Sequence, residues 1–96
     1  AFASVVLAHL AAWKPREYCT RRLGLDTELG AIDRSRLNVN GSSLATGHPF
    51  AATGARIVAQ LAKQLAEKKA QTSKPVRGLI SICAAGGQGV TAILEA

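Results

Sequence analysis

Two apolar, β-branched runs near the C-terminus, "GLISIC" and "GVTAILE", stand on either side of "AAGGQ". Runs of this length and composition form strands, and a short link carrying two glycines turns the second strand back along the first. The pattern predicts an antiparallel hairpin. Upstream, from Pro49 to about Lys69, the period changes to that of a helix. Ile57, Val58, Leu61 and Leu65 make one apolar stripe. Lys63, Glu67, Lys68 and Lys69 lie off that stripe or at its end, where cations suit the helix dipole. "QTSKP" joins the two patterns as a turn-rich linker.

The N-terminal half is more broken. Phe2, Val6, Leu10 and Trp13 recur at spacings of four and three, which predicts a helix over residues 1–13. Pro15 suits the first turn of a second short helix, "REYCTRRLG", with Gly24 as its stop. Residues 25–36 read as a long connection, of the kind that is often functional or partner-facing. "RLNVNG" is a strand candidate ending at Gly41, residues 42–48 are a loop of small residues, and Pro49 fits the first position of the long helix. The order is helix, helix, strand, helix, strand, strand. That is an α/β class, with helices layered on a small mixed sheet that ends in an antiparallel hairpin.

Ninety-six residues suit one small domain with a thin margin of buried surface. Hydrophobic residues at 48% against 19% charged exclude a disordered chain. No apolar run approaches the roughly 20 residues of a membrane span. No basic segment precedes "AFASVVLAHLAAW" and no cleavage site follows it, so a signal peptide is not expected. The chain contains no methionine, so Ala1 is expected to be the start of a processed, trimmed or partial chain. A net charge of +6 permits anionic partners. The basic residues are scattered and have no interleaved aromatics for base stacking, which argues against nucleic acid. Cys19 and Cys83 share no metal-like spacing and do not suggest a secreted, stapled scaffold, so reduced thiols and an intracellular setting are expected.

Two residues carry chemistry. His48 sits between Gly47 and Pro49, one permissive and one rigid. Read as lying beside a helix N-terminus, its imidazolium is disfavoured, and a neutral imidazole can accept a proton or orient a nucleophile. Ala51, Ala52, Thr53, Gly54 and Ala55 let the following turns press close to another backbone or a ligand. The competing reading is a histidine that only hydrogen-bonds locally. Cys83 closes an apolar strand and opens a glycine-rich turn, where a thiolate can act as base or nucleophile. The competing reading there is a buried cysteine acting as a small hydrophobe. Cys19, in a basic helix with no paired base, reads as structural, and His9 as structural or surface.

"NVNGSSLATGHPFAATGAR" resembles the Asn-x-x-Gly-(small)-Gly-His-Pro-x-(Gly/Ala)-x-(Ser/Thr)-Gly-x-Arg signature of thiolases. "CAAGGQG" resembles their C-terminal Cys-x-x-Gly-Gly-x-Gly loop, and "AFA" the tail of their Asn/His-Glu-Ala-Phe-Ala motif. The matches come in the family's order and span residues 1–95. The double alanine after Cys83 is most similar to the β-oxidation branch found in trifunctional complexes.

The resemblance implies an acyltransferase acting in fatty-acid metabolism between 3-ketoacyl-CoA and coenzyme A, with coenzyme A as substrate and no resident cofactor or metal. It implies that His48 activates a nucleophilic cysteine and helps bind the thioester oxygen, while Cys83 is the acid/base. It further implies that the amide of Ala85 contributes to an oxyanion hole, and that Phe2, Gly47 and Gly86 border the substrate. Glycine is common in the family where Ala85 stands; an amide keeps its role whatever its side chain, provided the backbone angles hold. The implied partners are the acyl-CoA and CoA, the N-terminal thiolase half that supplies the nucleophile, and further copies in a homo-oligomer of the full enzyme. The implied setting is the cytoplasm, or alternatively the mitochondrial matrix. Residues 1–96 then read as an incomplete thiolase C-terminal domain, inactive alone. The rival reading is a non-catalytic basic interaction fragment that binds a partner chain or an anionic ligand.

Overall fold

The computed structural model describes residues 2–96. Ala1, the first residue of the "AFA" match, lies outside them. The chain divides into two compact units, residues 1–48 and 49–96.

The first unit holds α1 (Ala3–Ala12), α2 (Arg16–Leu23), a single 3-10 turn (Arg34–Arg36) and the one-turn helix α3 (Ser43–Thr46). Val6, Leu10 and Trp13 are half-buried along one side of α1, as their spacing predicts, whereas Phe2 is exposed. The His9 Nδ1–H donates to the Val5 carbonyl at 2.8 Å, and its ring meets Trp13 edge to face, so His9 is a surface helix residue engaged locally. Pro15 caps α2 in an extended conformation, and Gly24 ends it at φ 67. The amides of Gly24 and Leu25 both return to the Cys19 carbonyl, that of Leu25 at 3.1 Å, and so close the helix end around a left-handed residue.

Cys19 is the packing centre of this unit, with no exposed surface. Its S–H points at the Trp13 carbonyl, 3.4 Å away, and Gly30 N–H donates to the same oxygen at 3.1 Å. A sulfur and an amide thus satisfy a carbonyl that α1 leaves open at its C-terminal end. The structural reading of Cys19 holds.

The strand expected in "RLNVNG" does not form. Asp33 caps the 3-10 turn, its carboxylate accepting from the Ser35 amide and hydroxyl at 2.9 and 2.7 Å. Those bonds hold the Asp33 carboxyl below its ordinary range, the Ser35 hydroxyl being the larger cause. Asn38 then takes φ 50 and the Gly41 amide closes a turn onto the Asn38 carbonyl at 2.8 Å. Asn tolerates the left-handed region well, so "NVNG" makes a turn where a strand would need continuous extended backbone.

The second unit contains α4 (Thr53–Lys69), β1 (Arg77–Ala84) and β2 (Gln88–Glu95). The α/β class therefore stands as four α-helices and, among the described residues, one two-stranded antiparallel sheet. The pairing runs from Arg77↔Glu95 to Ala84↔Gln88, and Val76 and Ala96 extend it by exchanging both backbone bonds. A lone hairpin is marginal in water, and α4 supplies the cover. The apolar residues of α4 that are covered include Ile57 and Leu61, half-buried, and Leu65 at 4% exposure. Val58, which the spacing also placed on the stripe, is 41% exposed and lies off it.

On β1, Gly78, Ile80 and Ile82 are half-buried, while Arg77, Leu79, Ser81 and Cys83 alternate onto the exposed face. That second face carries the Leu79↔Ile93 pair, with Leu79 57% and Ile93 72% exposed. Arg77 and Glu95 form an ion pair at its end.

Gly78 is where α4 and the sheet come closest. A Cβ built there would lie 2.5 Å from Leu61 Cδ1 and 3.0 Å from Leu61 Cγ. Gly78→Ala is therefore expected to destabilise the chain by about 1–3 kcal/mol through overpacking. Leu61→Ala in the same chain should recover part of that loss, read as a coupling between the two substitutions in denaturant melts. Strictly additive losses would mean that the two residues do not meet.

Candidate functional site

His48 closes the first unit. The short helix α3 ends when the Gly47 amide donates to the Ser43 carbonyl at 2.8 Å, and Gly47 itself adopts φ 87 and ψ 173. Nothing lies within 4 Å of where its side chain would be, so glycine is required by the backbone angle and not by crowding. The chain thus reverses sharply into His48, which is half-buried. Phe2, at the start of α1, is 68% exposed.

The helix expected to begin at Pro49 begins at Thr53. Between them Pro49 to Ala52 form a turn, the Ala52 amide donating to the Pro49 carbonyl at 3.2 Å. Ala51, third in that turn, has φ 66, the angle that a type II turn demands and that glycine or asparagine usually supplies. Proline permits a helix start at Pro49, but a residue with positive φ two places later rules it out. His48 therefore stands five residues ahead of α4. The helix dipole acts mainly within its first turn, so the electrostatic argument for a neutral ring built on a helix beginning at Pro49 does not carry over.

Cys83 lies in the second unit. It pairs with Gly89 in the last rungs of the hairpin and is exposed. The described residues themselves leave Cys83 uncovered, so within this chain it is not packed as a buried hydrophobe. Ala85, Gly86 and Gly87 make the three-residue loop, with Gly86 at φ 80 and Gly87 at φ 74, a conformation suited to closing a short hairpin. Cys83, Ala85 and Gly86 are thus gathered at one end of one hairpin, all exposed. Phe2, Gly47 and His48 belong to the other unit.

An exposed thiol at a strand end, next to amides of a glycine-turned loop, can exchange a proton with a bound substrate, and the loop amides can donate to an oxygen that gains charge. A half-buried imidazole on a sharply turned loop can hold or take a proton at a fixed place. Ala51 and Thr53 are legible in the sequence only as small residues beside His48; the positive φ of Ala51 and the burial of Thr53, 3% exposed, come from the structure.

Among the described residues no helix is long and apolar enough to cross a membrane. Compared with known proteins, residues 1–96 match the family model described as "Thiolase, C-terminal domain". The chain is similar to proteins named 3-ketoacyl-CoA thiolase. It is 43% identical over 95 residues to one from Shewanella baltica (strain OS185), covering 99% of this chain and 21% of that one. One from Shewanella sp. (strain W3-18-1) is 42% identical and one from Shewanella loihica 41%, over the same shares. The chain thus spans about a fifth of the length of the curated relatives it matches, 21% in each case.

Proposed function

The chain belongs to the thiolase family, in its C-terminal domain, and on that premise we propose that it contributes part of the active site of an enzyme moving an acyl group between a 3-ketoacyl-CoA and coenzyme A. The observation that carries the reading is the extent of the likeness: 95 of the 96 residues align, at 41–43% identity, with proteins that bear that name. Degradative thiolysis, as in β-oxidation, is the direction favoured by that name.

In this reading residues 1–96 are one piece of a larger thiolase that works as a homo-oligomer in the cytoplasm. His48 accepts the proton of a nucleophilic thiol held on the N-terminal half, and the thiolate attacks the 3-keto carbon. As the bond between C2 and C3 breaks, the acyl group stays on sulfur and the departing acetyl-CoA carbanion takes the Cys83 proton. The Cys83 thiolate then removes the proton of the incoming coenzyme A thiol, whose sulfur attacks the acyl carbon and displaces the nucleophilic sulfur. His48 returns its proton to that sulfur as it leaves, so His48 and Cys83 both end as they began and the cycle balances. The Ala85 amide donates to the oxygen that gains charge, Gly86 keeps the loop clear of side chain, and Phe2 and Gly47 border the substrate. What supports these assignments is the exposure of Cys83 beside its loop and the turned backbone at Gly47.

Neither cysteine of this chain is suited to be the nucleophile. Cys19 has no exposed surface for a thioester to reach, and Cys83 is taken by the proton transfer. The 96-residue chain assayed alone is therefore expected to release no acetyl-CoA from a 3-ketoacyl-CoA plus coenzyme A. The full-length protein carrying it should turn over under the same conditions. Turnover by the isolated chain, or none by the full-length protein, would overturn this reading.

A further inference from the structure

The turn from Pro49 to Ala52 joins His48 to α4, yet all four of its residues are exposed, Phe50 to 89%. Burial of its own side chains does not hold it. Its third residue, Ala51, sits at φ 66, a conformation that is unfavourable for a non-glycine residue and persists only where surrounding structure enforces it. The buried residue at its foot is Thr53, 3% exposed, the first residue of α4. The Thr53 hydroxyl donates to the Pro49 carbonyl at 3.4 Å, the same oxygen that accepts the Ala52 amide at 3.2 Å. The carbonyl of Pro49, the residue bonded directly to His48, therefore accepts from the hydroxyl of a buried residue and from one amide. Although 3.4 Å is long for a hydroxyl donor, the burial of Thr53 removes the water that would otherwise compete for it.

We propose that Thr53 is a positioning residue for His48: its buried hydroxyl holds the strained turn so that the imidazole is delivered at one fixed place. This rests on the reading of His48 as the activating base. Proton transfer is sensitive to placement, and a displacement of about 1 Å can cost as much as 100-fold in rate. Thr53 touches no reacting atom in this account and acts only through the backbone of residues 49–52.

The test uses the full-length enzyme and two pairs of variants that differ at the hydroxyl alone. Thr53→Val is compared with the native threonine, and Thr53→Ala with Thr53→Ser. Within each pair, loss of the hydroxyl is expected to lower kcat by about 10-fold or more while KM stays within about twofold. Thr53→Ser should restore most of the rate. In a His48→Asn background the same hydroxyl deletions should have no further effect, because the group they position is already gone.

Equal kcat within each pair overturns the proposal. So does a rate loss in which Thr53→Ser is as poor as Thr53→Ala, or a full additional loss in the His48→Asn background. If Thr53→Val does not fold, the serine and alanine pair decides. If neither variant without the hydroxyl folds while serine does, the hydroxyl holds the fold rather than His48, and the proposal is wrong. Full activity in His48→Asn alone would instead refute the role given to His48, a result distinct from any of these.

Discussion

Leu65→Ala is expected to abolish cooperative folding of residues 49–96. Leu65 is 4% exposed on the face of α4 that packs against the hairpin, and it is the one buried large aliphatic side chain of that unit among the described residues. Cutting a buried leucine to alanine costs about 2–5 kcal/mol through lost transfer energy and the cavity left behind. A unit of this size has only roughly 2–7 kcal/mol of stability in total. The two figures overlap, so the substitution removes most of what holds α4 to the sheet. Hydrogen exchange gives the readout: amides of α4, β1 and β2 should lose protection together. Val58→Ala is the control, since Val58 on the same helix is 41% exposed and should cost less than about 1 kcal/mol. Equal losses at both positions would place the packing face of α4 elsewhere.

His48→Asn in the full-length enzyme is expected to lower kcat by about 10²–10⁴-fold, the range that a positioned acid or base contributes. Asparagine keeps a polar side chain of similar reach but cannot take a proton near neutral pH. The substitution therefore removes the chemistry and keeps most of the shape. Because His48 is half-buried and closes a unit whose packing centre is Cys19, the variant should fold and melt close to the native protein. Steady-state thiolysis together with a melting curve separates the two effects. A rate within tenfold of the native enzyme would remove His48 from the chemistry, whatever Cys83 does.

The legible parts of the fold are those in which one period dominates. The hairpin announced itself because β-branched residues flank a two-glycine loop, and α4 because Ile57, Leu61 and Leu65 recur at helical spacing. "RLNVNG" misled because its apolar residues alternate as a strand's do, while Asn38 and Gly41 turn the backbone. Val58 misled because a stripe two residues wide in sequence can be one residue wide in packing. The start of α4 was hidden behind Pro49, which permits a helix, and Ala51, whose positive φ forbids one there. His48 and Cys83 stood out through their neighbours, since both sit where glycine frees the backbone. Thr53 could not be found that way. Its burial and its bond to Pro49 arise only once α4 has formed and packed.

The alternation along β1 also limits how this segment can change over generations. Cys83 shares the exposed face with Leu79 and Ser81, while Gly78, Ile80 and Ile82 turn toward α4. Adding or removing a single residue between Val76 and Cys83 inverts that parity. It would carry the thiol to the helix side and push a leucine or isoleucine against Leu61, where only a glycine fits. Length changes in this strand are therefore tolerable only in twos. Descendants of the sequence can exchange side chains at nearly every exposed position, yet must keep the odd or even count that separates Cys83 from the linker.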